Sequence, residues 1–287
     1  MTPVLPSMST LTSADGTVIA YDKTCRQGIP RHGDEPGAGS GPPVILVDGA
    51  LCHRGSGPAR PLAKALADRF TVYTYDRRGR GESGDTAPYA VEREIEDLQA
   101  LVDVACRQGR AGEPGAGESV AVYGISSGAA LALETAVRTP AIEKLALYEA
   151  PFVVDDTREP IVLDYDGLSR RAAVRTFMRA VGVPGPLAAL LSRMGKLKAV
   201  AHTLPYDAAI VGSHQLGRPL PTWDVPADTL VIAGGKSDAW MTNANRALAE
   251  ATQATYRVLE GQNHMVKAKA LAPLLAAHFR SRHAQQV

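Results

Sequence analysis

The segment Gly124-Ile125-Ser126-Ser127-Gly128 concentrates the chain's most reactive pattern: a serine set between two glycines. A Gly-x-Ser-x-Gly string arises by chance in roughly one chain in eight of this composition, so its surroundings must carry the argument. They do. The apolar run Ser119–Tyr123 precedes it and reads as a strand, and the helix-forming run Ala129–Leu133 follows. A serine on a tight strand-to-helix turn projects its hydroxyl at a helix N-terminus, where the helix dipole favours developing negative charge. Small flanking residues let such a turn pack closely. The plainer alternative is an ordinary glycine-lined helix start with Ser126 or Ser127 as its cap.

A serine hydroxyl is a weak nucleophile and needs a base. Of seven histidines, His264 stands just after a C-terminal strand-like run, in Leu259-Glu260-Gly261-Gln262-Asn263-His264. The others fall in loops (His32, His53), in a helical region (His202, His214) or in the terminal helix (His278, His283). A third residue, an acid that orients the imidazole, is expected on a loop after a strand, between the serine and the histidine. The run Leu230–Ala233 followed by Gly234-Gly235-Lys236-Ser237-Asp238 supplies Asp238. Its competing reading is a cap for a helix beginning near Trp240.

These residues need a scaffold, and the sequence describes one. Two short strand-like runs, 9–11 and 17–22, flank the hairpin signal Asp15-Gly16. The continuous apolar run Val44–Val47 suits a strand covered on both faces. Helix-like Pro58–Asp68, strand-like Phe70–Tyr75, helix-like Val91–Cys106, then strands at Val120–Tyr123, Lys144–Tyr148, Thr229–Ala233 and Thr255–Leu259 continue the alternation, and helix-like Val266–Arg280 closes it. Strands alternating with helices predict an α/β, doubly wound and mostly parallel sheet. Gly- and Pro-rich tracts at 27–43 and 109–117 read as loops. The alternation breaks at 152–222, where helix-like pieces (Leu168–Val181, Leu187–Met194) are punctuated by Pro and Gly. We read a helical cap at 152–222 inserted between core parts 1–151 and 223–287.

With these motifs in place the chain resembles the α/β-hydrolase superfamily, in its bacterial esterase-like branch with a helical cap. The resemblance runs from about residue 10 to residue 283. The order Ser126, Asp238, His264 is the order of that fold. Asp76-Arg77-Arg78-Gly79-Arg80-Gly81-Glu82-Ser83 resembles the family's Asp-x-Arg-Gly-x-Gly-x-Ser turn. The glycines Gly79, Gly81 and Gly84 also match a dinucleotide fingerprint, but they lead into Asp85-Thr86-Ala87-Pro88 rather than opening a helix. Gly234-Gly235-Lys236-Ser237 imitates the end of a phosphate loop without that motif's first glycine. The resemblance implies backbone oxyanion donors at Ala50 and Ser127. One position departs from the family pattern: Asp48-Gly49 stands where His-Gly is usual. Either Asp48 belongs to a loop network or it serves acid–base chemistry.

The resemblance implies a serine hydrolase that acts on an ester or related carbonyl of a small molecule through an acyl-enzyme. The alternatives are a lyase or cyclase that uses the triad as acid and base, and a small-molecule receptor with vestigial hydrolysis. No cofactor or metal is implied, and Cys25, Cys52 and Cys106 form no Cys-x-x-Cys pair. Lys+Arg (31) nearly balance Asp+Glu (30) for a net charge of +1, which gives no stripe for nucleic acid or anionic membrane. The opening residues show no secretory pattern, and the expectation is a cytoplasmic monomer or homodimer.

Overall fold

A computed structural model describes residues 8–25, 41–108 and 119–281. The predicted loop at 109–117 and most of the one at 27–43 lie outside the described residues, as do His32 and His283. The strands are β1 (Met8–Thr12), β2 (Val18–Thr24), β3 (Val44–Val47), β4 (Val72–Tyr75), β5 (Val120–Ile125), β6 (Ile142–Tyr148), β7 (Asp228–Gly234) and β8 (Thr255–Leu259). They form one eight-stranded sheet in the order β1-β2-β4-β3-β5-β6-β7-β8. The β1–β2 hairpin predicted from Asp15-Gly16 is present, with Gly16 at φ +85°. β2 is also antiparallel to β4, and every pairing from β4 to β8 is parallel.

The apolar runs are continuous because the central strands are covered twice. Ile45, Val47, Val122, Leu145, Leu147 and Val231 face one cluster, which α2 (Val91–Gln108), α3 (Ser127–Ala136) and α8 (Ala239–Ala251) complete. Val44, Leu46, Ala121, Tyr123, Tyr148 and Ile232 face the other, completed by α1 (Ala59–Leu66) and α9 (Ala268–Arg280). Alternate residues of each strand thus belong to alternate layers, the doubly wound arrangement the sequence predicts. The edge strands β1 and β8 keep exposed positions.

Between β6 and β7 the chain is helical: α4 (Arg170–Ala180), α5 (Gly185–Leu191), α6 (Gly195–Ala199), a 3-10 turn at Ala201–Thr203, α7 (Leu204–Val211) and a second 3-10 turn at Gly212–Gln215. Ser169 caps α4, its hydroxyl accepting from Ala172 N at 3.3 Å. The predicted helix at Leu187–Met194 begins earlier, at Gly185, because Pro186 occupies a first-turn position where a missing N–H costs nothing. α7 has no counterpart among the helix-like pieces of the sequence. Pro205 looked like punctuation but sits in its first turn, and Leu204, Ala208, Ala209, Ile210 and Val211 leave little amphipathic contrast to read. Among the described residues no helix is long and apolar enough to cross a membrane.

Candidate active site

Ser126 occupies the junction between β5 and α3 with φ +58° and ψ −131°, a conformation that L-residues adopt at a cost of about 1–3 kcal/mol. Its N–H donates to Tyr148 O at 3.0 Å, and its carbonyl accepts from Ala129 N at 2.9 Å, which starts the helix. The two glycines of the motif are sterically required. A Cβ on Gly124 would lie 2.4 Å from Gly128 O, and one on Gly128 would lie 2.4 Å from Val47 O. On the other side of the serine, a Cβ on Gly49 would come within 2.8 Å of Ser126 Cβ. The chain therefore wraps Ser126 closely on two sides while leaving it partly exposed. Ser126 makes no side-chain cap, so the plain helix-start reading does not describe it.

His264 follows β8, as expected. Asn263 beside it is held by Tyr148, whose hydroxyl donates to Asn263 O at 2.7 Å. Tyr148 thus touches both halves of the site, through its carbonyl at Ser126 N and its phenol at the histidine loop. Packing is close here too: a Cβ on Gly234 would meet Gln262 O at 2.7 Å.

The acid on the imidazole is Glu149, not Asp238. His264 Nδ1 lies 2.9 Å from Glu149 Oε2. Glu149 is fully buried, follows β6 directly at φ +47°, and receives Gly234 N at 2.7 Å and Ser237 Oγ at 2.5 Å on Oε1. The pairing suits the tautomer in which Nδ1 donates to the carboxylate and Nε2 is the basic nitrogen. Asp238 is exposed, stands at the N-terminus of α8, and contributes its carbonyl to Met241 N and Thr242 N. The loop after β7 tucks beneath the histidine turn through Gly234 and Gly235, and this carries Ser237 inward and Asp238 outward. A signal for Glu149 was available in the sequence: a single acid set directly after a strand among apolar neighbours, Leu147-Tyr148-Glu149-Ala150.

The loop after β3 carries Gly49, Ala50 and Leu51, the last at φ +60°. Among the described residues neither Ala50 N–H nor Ser127 N–H has an acceptor, so both donors remain free. Asp48 is buried, and its carboxylate turns to the start of α1, accepting from Ala59 N at 3.1 Å, with Gly57 against its other oxygen. It belongs to the loop network. Burial pushes its carboxyl up to about 7 against the pull of that N–H and of Arg80 and Arg77. Burial likewise pushes the neighbouring Cys52 thiol up to about 12, which keeps it protonated and unreactive.

Beneath this loop lies a group of buried charges. Arg77 pairs with Glu94 through Nε at 2.5 Å, and Arg78 grips Asp97 through two nitrogens at 2.7 Å. Arg77 and Arg80 converge on Asp207 of α7, each at 2.9 Å. The family-like turn at Asp76–Ser83 is therefore a structural lock rather than a nucleotide loop. The remaining described histidines bond elsewhere or pack on rings: His53 Nδ1 accepts from Gly55 N, His202 pairs with Asp85, His278 meets Leu145 O, and His214 packs on Phe152 and Trp223. No group of three His, Cys, Asp or Glu able to hold a metal occurs among the described residues.

Residues 36–274 match a family model described as "Alpha/beta hydrolase family". The structure is similar to that of an alpha/beta hydrolase from Sphaerobacter thermophilus DSM 20745, at 42% identity and TM-score 0.77, covering 94% of this chain and 100% of that one. It shares its fold with the 2-hydroxy-6-oxo-6-phenylhexa-2,4-dienoate hydrolase of Rhodococcus sp. strain RHA1, at 17% identity and TM-score 0.64, covering 96% and 100% of the two chains. A curated relative, the uncharacterized hydrolase YraK of Bacillus subtilis, is 33% identical over 108 residues, which cover 36% of this chain and only 34% of that protein.

Proposed function

Given that the chain belongs to the alpha/beta hydrolase family, we propose that it is a serine hydrolase that cleaves an ester or related carbonyl of a small molecule through an acyl-enzyme. The observation that carries this reading is the His264–Glu149 hydrogen bond on a loop tied by Tyr148 to a serine at φ +58°. Ser126 Oγ attacks the carbonyl carbon, and His264 Nε2 takes its proton. Glu149 fixes the tautomer and offsets the charge of the imidazolium. The free N–H groups of Ala50 and Ser127 receive the oxyanion. Collapse of the tetrahedral intermediate expels the alcohol with the proton from His264. Water, deprotonated by the same nitrogen, then releases the acid and restores the hydroxyl.

Apolar side chains from the helical insertion, Tyr165, Phe177, Met178 and Leu197, pack, as Ala50 does, on the small cluster that contains Leu51. They favour an apolar group on the acyl or alcohol side, with no cofactor. Acid–base chemistry without an acyl-enzyme drew its support from Asp48, and that carboxylate is engaged at Ala59 N–H.

The test is a fluorophosphonate probe followed by peptide mass spectrometry. Labelling at Ser126, lost in Ser126→Ala, is expected. Glu149→Gln should lower kcat on an aryl ester by about a thousandfold to ten-thousandfold, by analogy with removal of a triad acid, whereas Asp238→Asn should stay within about twofold. A collapse in Asp238→Asn with full activity in Glu149→Gln would overturn the assignment of the acid.

A further inference from the structure

Asp207 lies on α7, in the segment between β6 and β7, yet its carboxylate is buried beneath the site. Oδ1 accepts from Ser127 Oγ at 2.7 Å, from Arg77 Nη1 at 2.9 Å and from Arg80 Nη2 at 2.9 Å, and Oδ2 accepts from Arg80 Nη2 at 2.9 Å. The two arginines continue upward into the oxyanion loop. Arg80 Nη1 donates to Gly49 O at 2.8 Å, and Arg77 Nη1 donates to Asp48 O at 3.2 Å. Gly49 O belongs to the same planar peptide as Ala50 N–H. In a trans peptide the C=O and N–H point in opposite directions, so a cation that holds the carbonyl also aims the amide proton away from itself.

We propose that Asp207 is the positioning residue of the oxyanion hole, holding one donor peptide through Arg80 and the other donor residue through the Ser127 hydroxyl. The inference rests on the serine-hydrolase reading above and adds a residue to it. Asp207 touches no substrate. It sets the direction of two N–H groups that come from different loops, β3–α1 and β5–α3, by tying both to one carboxylate. Burial raises this carboxyl, but Arg80, Arg77 and Ser127 outweigh burial and keep it ionised. The insertion thus supplies part of the catalytic floor, in addition to whatever its outer helices do above the site.

The experiment compares wild-type protein, Asp207→Asn, Ser127→Ala and Asp97→Asn. Asp97→Asn is the control, because it weakens an equally buried pair, with Arg78, that does not reach the oxyanion loop. Two quantities are read: the rate constant for fluorophosphonate labelling of Ser126, and kcat and KM for p-nitrophenyl acetate. Misaiming the donors by a fraction of an ångström should lower both labelling rate and kcat in Asp207→Asn by about tenfold to a hundredfold, with KM within about threefold. Ser127→Ala, which keeps the backbone N–H and loses only the tie, should fall by about threefold to tenfold. If Asp207→Asn does not fold, Ser127→Ala still decides the question. Asp97→Asn should keep its labelling rate within about twofold once folded. Labelled wild type with undiminished Asp207→Asn and Ser127→Ala, or an equal loss in Asp97→Asn, would overturn this inference alone. Wild-type protein that takes no label at Ser126 would overturn the serine-hydrolase reading, and the present inference with it.

Discussion

The segment between β6 and β7 has two halves that are built differently. The outer half, α4 to α6, buries few side chains of its own. Val174 and Ala173 join Val200, Ala201 and Leu204 in a small cluster over Leu51, while Val181, Leu187, Leu190 and Met194 stay exposed, Leu190 at 60%. The inner half, α7, belongs to the body of the sheet. Ile210 and Val211 join the main core cluster, Tyr206 stacks on Tyr89 at 3.8 Å, Tyr206 Oη donates to Asp85, and Asp207 is locked by two arginines. The difference shows that position in the chain does not decide what a segment does. One half leaves apolar side chains exposed, and the other is tied by buried ion pairs into the body of the sheet.

The sharpest way to break this comparison is to remove an anchor of the inner half. Arg77→Ala leaves Glu94 buried without its ion pair and weakens the hold on Asp207, so a loss of about 3–5 kcal/mol in denaturant unfolding is expected. A loss below about 1 kcal/mol would show that α7 is held by packing alone. Next comes packing itself. Ile210→Ala, in the main core, should cost about 2–4 kcal/mol by the same measurement. A pH-dependent change is expected at Asp48. Its folded carboxyl sits near 7 against 3.8 when free, so ionisation disfavours the folded state. The protein gains from this group below about pH 4 and loses that gain as pH rises through 7. Asp48→Asn should therefore raise Tm above pH 7 and give no advantage at pH 4. A Tm gain that is the same at both values would contradict the burial of that charge. Smallest of all, Leu190→Ser should change stability by no more than about 0.5 kcal/mol. A larger loss would mean the outer half has packing that its exposure does not reveal.

Much of this architecture is legible in the sequence alone. Val44–Val47 and Thr255–Leu259 carry their strand bounds in the sequence, because a continuous apolar run and a short β-prone stretch between a helix and a glycine leave few alternatives. Ser126 was legible through its context, since a strand, two glycines and an alanine-rich helix converge on one turn. Glu149 was not. β6 and β7 are adjacent and parallel, so an acid at the end of either can reach the same imidazole. Sequence spacing does not say which strand end faces the histidine. That is settled by the tuck of Gly234 and Gly235 under residues 260–263, a contact between segments that carry no pattern of their own. Asp207 was invisible for a related reason. Its partners Arg77 and Arg80 stand in a recognisable turn, but nothing in Leu204-Pro205-Tyr206-Asp207 announces that its acid points inward.

That long-range lock also bears on how the molecule is assembled. The Asp207 carboxylate meets Arg77 across 130 positions of chain and Arg80 across 127. As the chain emerges during synthesis, β3, β4 and β5 are complete while Arg80 still awaits its Asp207 counterion and Arg77 has Glu94 alone. Burying them before then would cost several kcal/mol per charge. The hold of Arg80 on Gly49 O is therefore complete only with α7 packed on the sheet. Folding closes this catalytic floor late and over a long loop, which places the protein among chains whose rate is governed by non-local contacts.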